Sequence, residues 1–201
     1  MNWRDVPIPK RMVELERDVR GFPIPVGVLR DNDGNPHFTI NDEEKRQELL
    51  KSGGCPICGH TITPGYHWFV GGPLSAFHAN GAYIDLSAHR ECIEYALRVC
   101  PYLISAKYHK RIDGKTLDNT KYEGTVLIDP TMLAERPKVF VAVRSNGRIS
   151  TNTPGGYVRP IRPYRDVVYW KDGNILSKDE GRKIIIQETT LGYAAILQWG
   201  G

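Results

Sequence analysis

Nothing in this 201-residue sequence is apolar for long enough to cross a bilayer. The longest nearly unbroken apolar stretches, 139–143 and 193–197, fall far short of the roughly 20 residues that a helical span requires. No secretory leader is expected, because residues 1–9 carry Arg4 and Asp5 and no apolar run follows them. Cysteine, with 4 residues, is too sparse for a secreted disulfide scaffold. Charge of one sign is scarce too, because 27 Lys and Arg face 23 Asp and Glu for a formal charge of +4. What is left is a folded protein, 40% hydrophobic and 25% charged, with chain enough for one fair-sized core or two small ones. Its expected compartment is the cytoplasm, with no membrane partner.

The first 25 residues hold Pro7, Pro9, Pro23 and Pro25. Proline donates no ladder hydrogen bond and restrains the residue before it, so this segment reads as an extended arm with a helical turn or two within 11–20. Trp3, Met12, Leu15, Phe22 and Ile24 give the arm reason to lie across the body of the protein. Residues 26–30 and 36–40 flank a turn at Gly34 and predict a β-hairpin. Asn41 and Glu44 have capping-box spacing for a helix over 42–51 that stops at Gly53. A strand is expected over 65–70, paired in a hairpin with 83–86, and a helix over 88–99 closed by Pro101.

From 102 to 121 the pattern turns basic and polar, which marks a boundary. Beyond it, 125–128, 138–144, 164–170 and 193–199 read as strands. Ser177 and Glu180 have capping-box spacing for a helix over 178–188, although the β-branched run Ile184-Ile-Ile186 suits a strand equally. The expected organisation is an arm (1–25), a zinc-binding α+β region (26–105) and a small α+β region (122–201).

One chemical signal stands out. Cys55-Pro-Ile-Cys58-Gly59 is followed, thirty residues after Cys58, by His89-Arg-Glu-Cys92. Two thiolates two residues apart on a tight turn point at one ion, and residues i and i+3 of a helix share a face, so His89 and Cys92 complete the set. Three sulfurs and one imidazole suit tetrahedral Zn²⁺, and four protein ligands make a structural ion, not a catalytic one with an open position. A redox CxxC is the alternative, but Gly59 and Thr61-Ile-Thr-Pro64 favour a turn over the helix start that a thioredoxin-like pair needs. His60 is the other candidate imidazole, as ligand or as a neighbour of the ligands. Cys100 lies about two helical turns, roughly 12 Å, beyond Cys92 and is too far to join. A knuckle, a hairpin and a helix in this order make a treble clef. The fold class is therefore α+β, a treble-clef-like zinc-binding N-terminal region packed with a small mixed α/β C-terminal region.

The opening Trp3-Arg-Asp-Val-Pro-Ile-Pro9, Arg11-Met12, Asp18-Val-Arg-Gly-Phe-Pro-Ile-Pro25, the CxxCG, the Phe-Val-Gly-Gly-Pro segment ending at Pro73, the His-x-x-Cys and Cys100-Pro-Tyr-Leu103 resemble a family of short hypothetical proteins of actinobacteria and their phages. The resemblance covers about residues 1–105. It implies a bacterial or phage origin, a host cytoplasm in the phage case, and a zinc-bearing N-terminal region. It implies no reaction.

Between 136 and 165 stand seven basic residues and no acidic one: Arg136, Lys138, Arg144, Arg148, Arg159, Arg162 and Arg165, with Tyr157 and Tyr164 among them. Guanidinium forks pair bidentately with phosphate and tyrosine stacks on bases, so nucleic acid or another polyanion is a candidate partner. Set against this, the first 60 residues are balanced, ten acids to nine bases, and a basic stripe on such a protein is commonly a solvated face. A host protein is the other candidate partner. Gly71-Gly72-Pro73 lacks the lysine and Ser/Thr of a P-loop. His78, Asn80 and Asp85 are what a degenerate HNH-like nuclease would recruit for a separate metal, but no Asp-His pair stands where that motif's first strand supplies one. Ser75 has no nucleophile elbow around it. His67 and Trp68 occupy opposite sides of one strand, which predicts Trp68 buried and His67 at the surface. With no acid/base pair, activated nucleophile or cofactor fingerprint, the expected class is a zinc-stabilised binding protein and not an enzyme.

Overall fold

The structure, a computed structural model, describes residues 3–105, 136–150 and 156–188. The strands expected over 125–128 and 193–199 lie outside these residues. The arm makes 3₁₀ turns at Trp3–Asp5 and Lys10–Met12, the latter at the start of the stretch where a helical turn or two is expected. It closes on itself through Ile24 N–H to Glu16 O (2.8 Å), and Trp3 stacks on Phe22. Val6, Met12, Phe22 and Ile24 are buried, so the arm is packed chain and no tail.

Strands β1 (Val28–Arg30) and β2 (Pro36–Asn41) form the expected antiparallel hairpin. Helix α1 (Glu43–Ser52) starts one residue later than the capping-box spacing predicts, because Asp42 supplies the cap by accepting from Lys45 N–H at 2.9 Å. Asn41 instead donates its amide to Asp85. Gly53, at φ 74°, ends the helix in the left-handed conformation that a side chain would resist.

Strand β3 (His67–Gly71) is followed by α2 (Pro73–Phe77), α3 (Arg90–Val99) and α4 (Pro101–Ile104). Then come β4 (Phe140–Ser145), β5 (Arg148–Ser150), β6 (Val158–Pro160), β7 (Asp166–Lys171), β8 (Asn174–Leu176) and α5 (Lys178–Glu188). The box at the start of α5 is reciprocal: Glu180 N–H donates to Ser177 Oγ (3.3 Å) and Ser177 N–H to Glu180 Oε2 (3.0 Å). That cap settles the β-branched run as helix, with Ile185 buried and Ile186 exposed.

The main sheet is antiparallel in the order β3-β4-β7-β8. It takes β3 from before residue 106 and the other three strands from after residue 135. Pairing of His67 with Ser145 and of Phe140 with Trp170 sets the register. Alternate residues then feed two cores. Trp68, Phe140, Ala142 and Trp170 face a cluster with Met12, Phe22, Leu97 and three cysteines. Phe69, Val141, Val143 and Tyr169 face one with Leu49, Phe77, Tyr164 and Ile185. Cover on both faces explains why 139–143 is an apolar run and not an alternating one.

Two expectations fail here. Residues 83–86 form no strand beside β3. Tyr83 makes an isolated bridge to Val158, while Trp68 and Ala88 exchange two backbone hydrogen bonds. His67 is also not at the surface. It is 9% exposed, with Nδ1 2.9 Å from Ser87 Oγ, because the second cluster covers the side of the sheet it faces. Burial, and then the charge of Arg148, lowers its pKa below the ordinary 6.5. As pH falls through 6.5 the unfolded chain takes a proton that the folded chain refuses, so stability falls below that point. His67→Gln is expected to flatten the slope of stability against pH between 6.5 and 5 by up to one proton. Urea titrations across that window measure it.

Candidate metal centre

The sulfurs of Cys55, Cys58 and Cys92 and a ring nitrogen of His89 lie within 4.8 Å of one another. All four residues are buried, Cys55 and Cys92 completely. The chain builds this group from two local devices. The first is the turn between Gly54 and Thr61, which bridge each other. Cys55 N–H donates to His60 O (2.9 Å), Gly59 N–H donates to Cys55 O (2.8 Å), and Gly59 turns the chain at φ 80°. The second is the start of α3, where His89 is the N-cap residue and Cys92 lies in the first turn.

His89 makes no side-chain cap because its ring serves the cluster. Nδ1 is 3.3 Å from Cys58 Sγ, and Nε2 is 3.3 Å from the carbonyl of Thr61. A carbonyl only accepts, so Nε2 carries the proton and Nδ1 offers its lone pair toward the sulfurs. A carbonyl on the far nitrogen is the usual way to orient a ligating imidazole.

The electrostatics call for a cation. The thiols of Cys58 and Cys92 donate to Cys55, and backbone N–H groups of Cys58 and His89 add to them, so Cys55 is held far below the ordinary thiol range. In return the Cys58 and Cys92 thiols are pushed up, chiefly by that same bond to Cys55. Without a cation, one sulfur ionises at the expense of its neighbours. The positive end of α3 favours charge here but supplies only a fraction of it. The cluster fits a chelated metal ion in donor type, spacing and burial.

The structure places the remaining candidates apart from this group. His60 is exposed, and only its main chain serves the turn. Cys100 is half-buried at the end of α3, with its thiol pushed up by burial. His78 Nδ1 accepts from Asn80 N–H, and Asp85 accepts from Asn41. Among the described residues, the Cys55 group is the single cluster of three or more Cys, His, Asp or Glu able to hold a metal, so the HNH-like arrangement gains no second site. No helix among them is long and apolar enough to cross a membrane.

The basic segment is dispersed by folding. Arg136 donates to Tyr102 O and Leu103 O, Arg148 to Leu50 O, and Arg162 to Ala76 O and His78 O. Arg144 pairs with Asp166 at 2.6 Å. Lys138, Arg159 and Arg165 are exposed. Thr61 escaped the sequence reading because a ligand-orienting carbonyl has no residue signature. So did a cleft of about 360 Å³ beside His89, lined by residues as distant as Arg11, Tyr66 and Asp166.

The chain matches no family model, no curated protein and no solved structure.

Proposed function

We propose that the protein is a zinc-stabilised binding protein in which Cys55, Cys58, His89 and Cys92 hold one structural Zn²⁺. The carrying observation is the closed, buried donor set with its imidazole oriented by Thr61. Four protein ligands fill a tetrahedron and leave no position for water or substrate, which separates structural from catalytic zinc. The 54–61 turn, the isolated Trp68–Ala88 bridge and α3 support a treble-clef-like reading in which that bridge stands for the hairpin. Metal analysis of the purified protein tests the ion: about one zinc per chain is expected, and metal-free protein of unchanged stability would end the reading.

The partner we favour is a polyanion, met by the exposed Lys138, Arg159 and Arg165 and the half-buried Arg144. Arg136, Arg148 and Arg162 are engaged with main-chain carbonyls and contribute field more than contact. Binding to a labelled oligonucleotide should weaken steeply between 50 and 200 mM salt, because each neutralised phosphate releases counterions. Salt-independent binding, or none at 50 mM, favours a host protein, the partner that the resemblance to bacterial and phage proteins suggests.

A further inference from the structure

The cleft beside the metal centre brings arginines and aromatic rings together. Its walls come from five parts of the chain: Arg11 of the arm, Tyr66 before β3, Arg90 and Glu91 at the start of α3, Arg144 of β4, and Asp166 of β7. Two guanidinium groups lie over aromatic rings along it, Arg144 over Tyr66 (5.7 Å) and Arg90 over Trp68 (5.3 Å). Trp68 is buried, but Tyr66 is 57% exposed, with Arg144 over one face of its ring.

The three arginines have acidic neighbours. Arg11 pairs with Glu91, Arg90 with Glu94 and Arg144 with Asp166. Most of these side chains are substantially solvated, and ion pairs of that kind are weak enough to be exchanged for a better anion. Glu91 shows what such an anion does. Its carboxylate lines the same cleft and accepts from Arg11 Nε at 2.6 Å. One wall thus already receives an anion from within the chain.

Resting on the polyanion reading above, we infer that this cleft seats one nucleotide unit of a single-stranded nucleic acid, with Arg11, Arg90 and Arg144 meeting its phosphates and Tyr66 stacking on its base. A volume of about 360 Å³ is of ligand-pocket size and suits one unit, not a helix. A duplex hides its base faces in its own stack, whereas an unpaired base offers one to Tyr66. The arginines approach from separate elements, so the site exists only in the folded chain.

The test uses the full, zinc-loaded protein with a fluorescein-labelled oligo(dT) of about 12 nucleotides, a duplex of the same length, and AMP as competitor. The single strand is expected to bind more tightly than the duplex. Tyr66→Ala should weaken it about tenfold or more, the scale of one lost base stack, while Tyr66→Trp restores it. Arg144→Gln should lower the slope of log affinity against log salt by about 0.7, the share of one phosphate on a single strand. Competition by AMP at millimolar concentration supports the seat. AMP that displaces nothing at saturating concentration assigns the contact to the strand's backbone and overturns it. Single-strand binding unchanged by Tyr66→Ala but lost in Arg159→Glu overturns the cleft and leaves the polyanion reading standing. Absence of all binding at 50 mM salt overturns both. Circular dichroism of each variant confirms the fold before binding is read.

Discussion

Replacing Cys92 with serine is expected to yield protein without stoichiometric zinc and without a cooperative melting transition. A structural zinc of this type contributes about 10–16 kcal/mol of apparent binding free energy near neutral pH. The net stability of a whole domain is only about 5–15 kcal/mol. Loss of the ion therefore removes as much as the fold possesses. Cys92 is completely buried and lies in the same cluster as Met12, Trp68, Leu97 and Trp170, so a thiolate there calls for a bound cation. A chelator added to the native protein should act in the same direction, and more readily at low pH, where ligands must be protonated on release. Far-ultraviolet circular dichroism with a zinc-sensitive dye reads both effects at once. A Cys92→Ser chain that melts as the parent does would show the cluster to be ordinary packing.

Trp170→Ala should be the most damaging change outside the four candidate ligands. The indole is 2% exposed on β7, opposite Phe140 of β4, and the Arg98 guanidinium lies 5.0 Å above it. Truncating a buried aromatic to alanine costs about 3–5 kcal/mol, through lost transfer free energy and the cavity left behind. For a chain of this length that lowers the melting temperature by about 6–20 °C. Trp170 shares its cluster with Cys55, Cys58 and Cys92, so zinc should also pass to a competing chelator more readily. Thermal melts and a chelator competition assay give the two readings. A variant with lowered melting temperature and unaltered zinc retention would mean that the sheet and the metal region unfold separately.

The ligand set was legible because its two halves are local. A CxxC turn and an i, i+3 pair at a helix start need only neighbouring residues to set their geometry, and the 30 residues between Cys58 and His89 can be bridged in many ways. The β1–β2 hairpin and α1 were legible for the same reason, since turn glycines and capping side chains act within a few residues, whereas the β-branched run of α5 left helix and strand open. His67 was misread because alternation along a strand tells which residues share a face, not whether that face is covered. Burial on both sides of β3 comes from clusters assembled out of distant segments.

The amino-acid sequence by itself determined the donors, their spacing and the chemistry they suit. Tertiary structure alone decided that β3 pairs with β4 and not with residues 83–86, because strand pairing over some 70 residues of chain is chosen by which apolar faces can be covered together. It also decided the fate of the arginines. Arg136, Arg162 and Arg148 reach carbonyls 34, 86 and 98 residues away, so a stripe continuous in sequence is divided between internal bonds and surface. The same long-range closure brings Arg11, Tyr66, Arg90 and Arg144 to one cleft. A guanidinium's partner is set by where the backbone leaves an unpaired acceptor, and that is known only once the chain has folded.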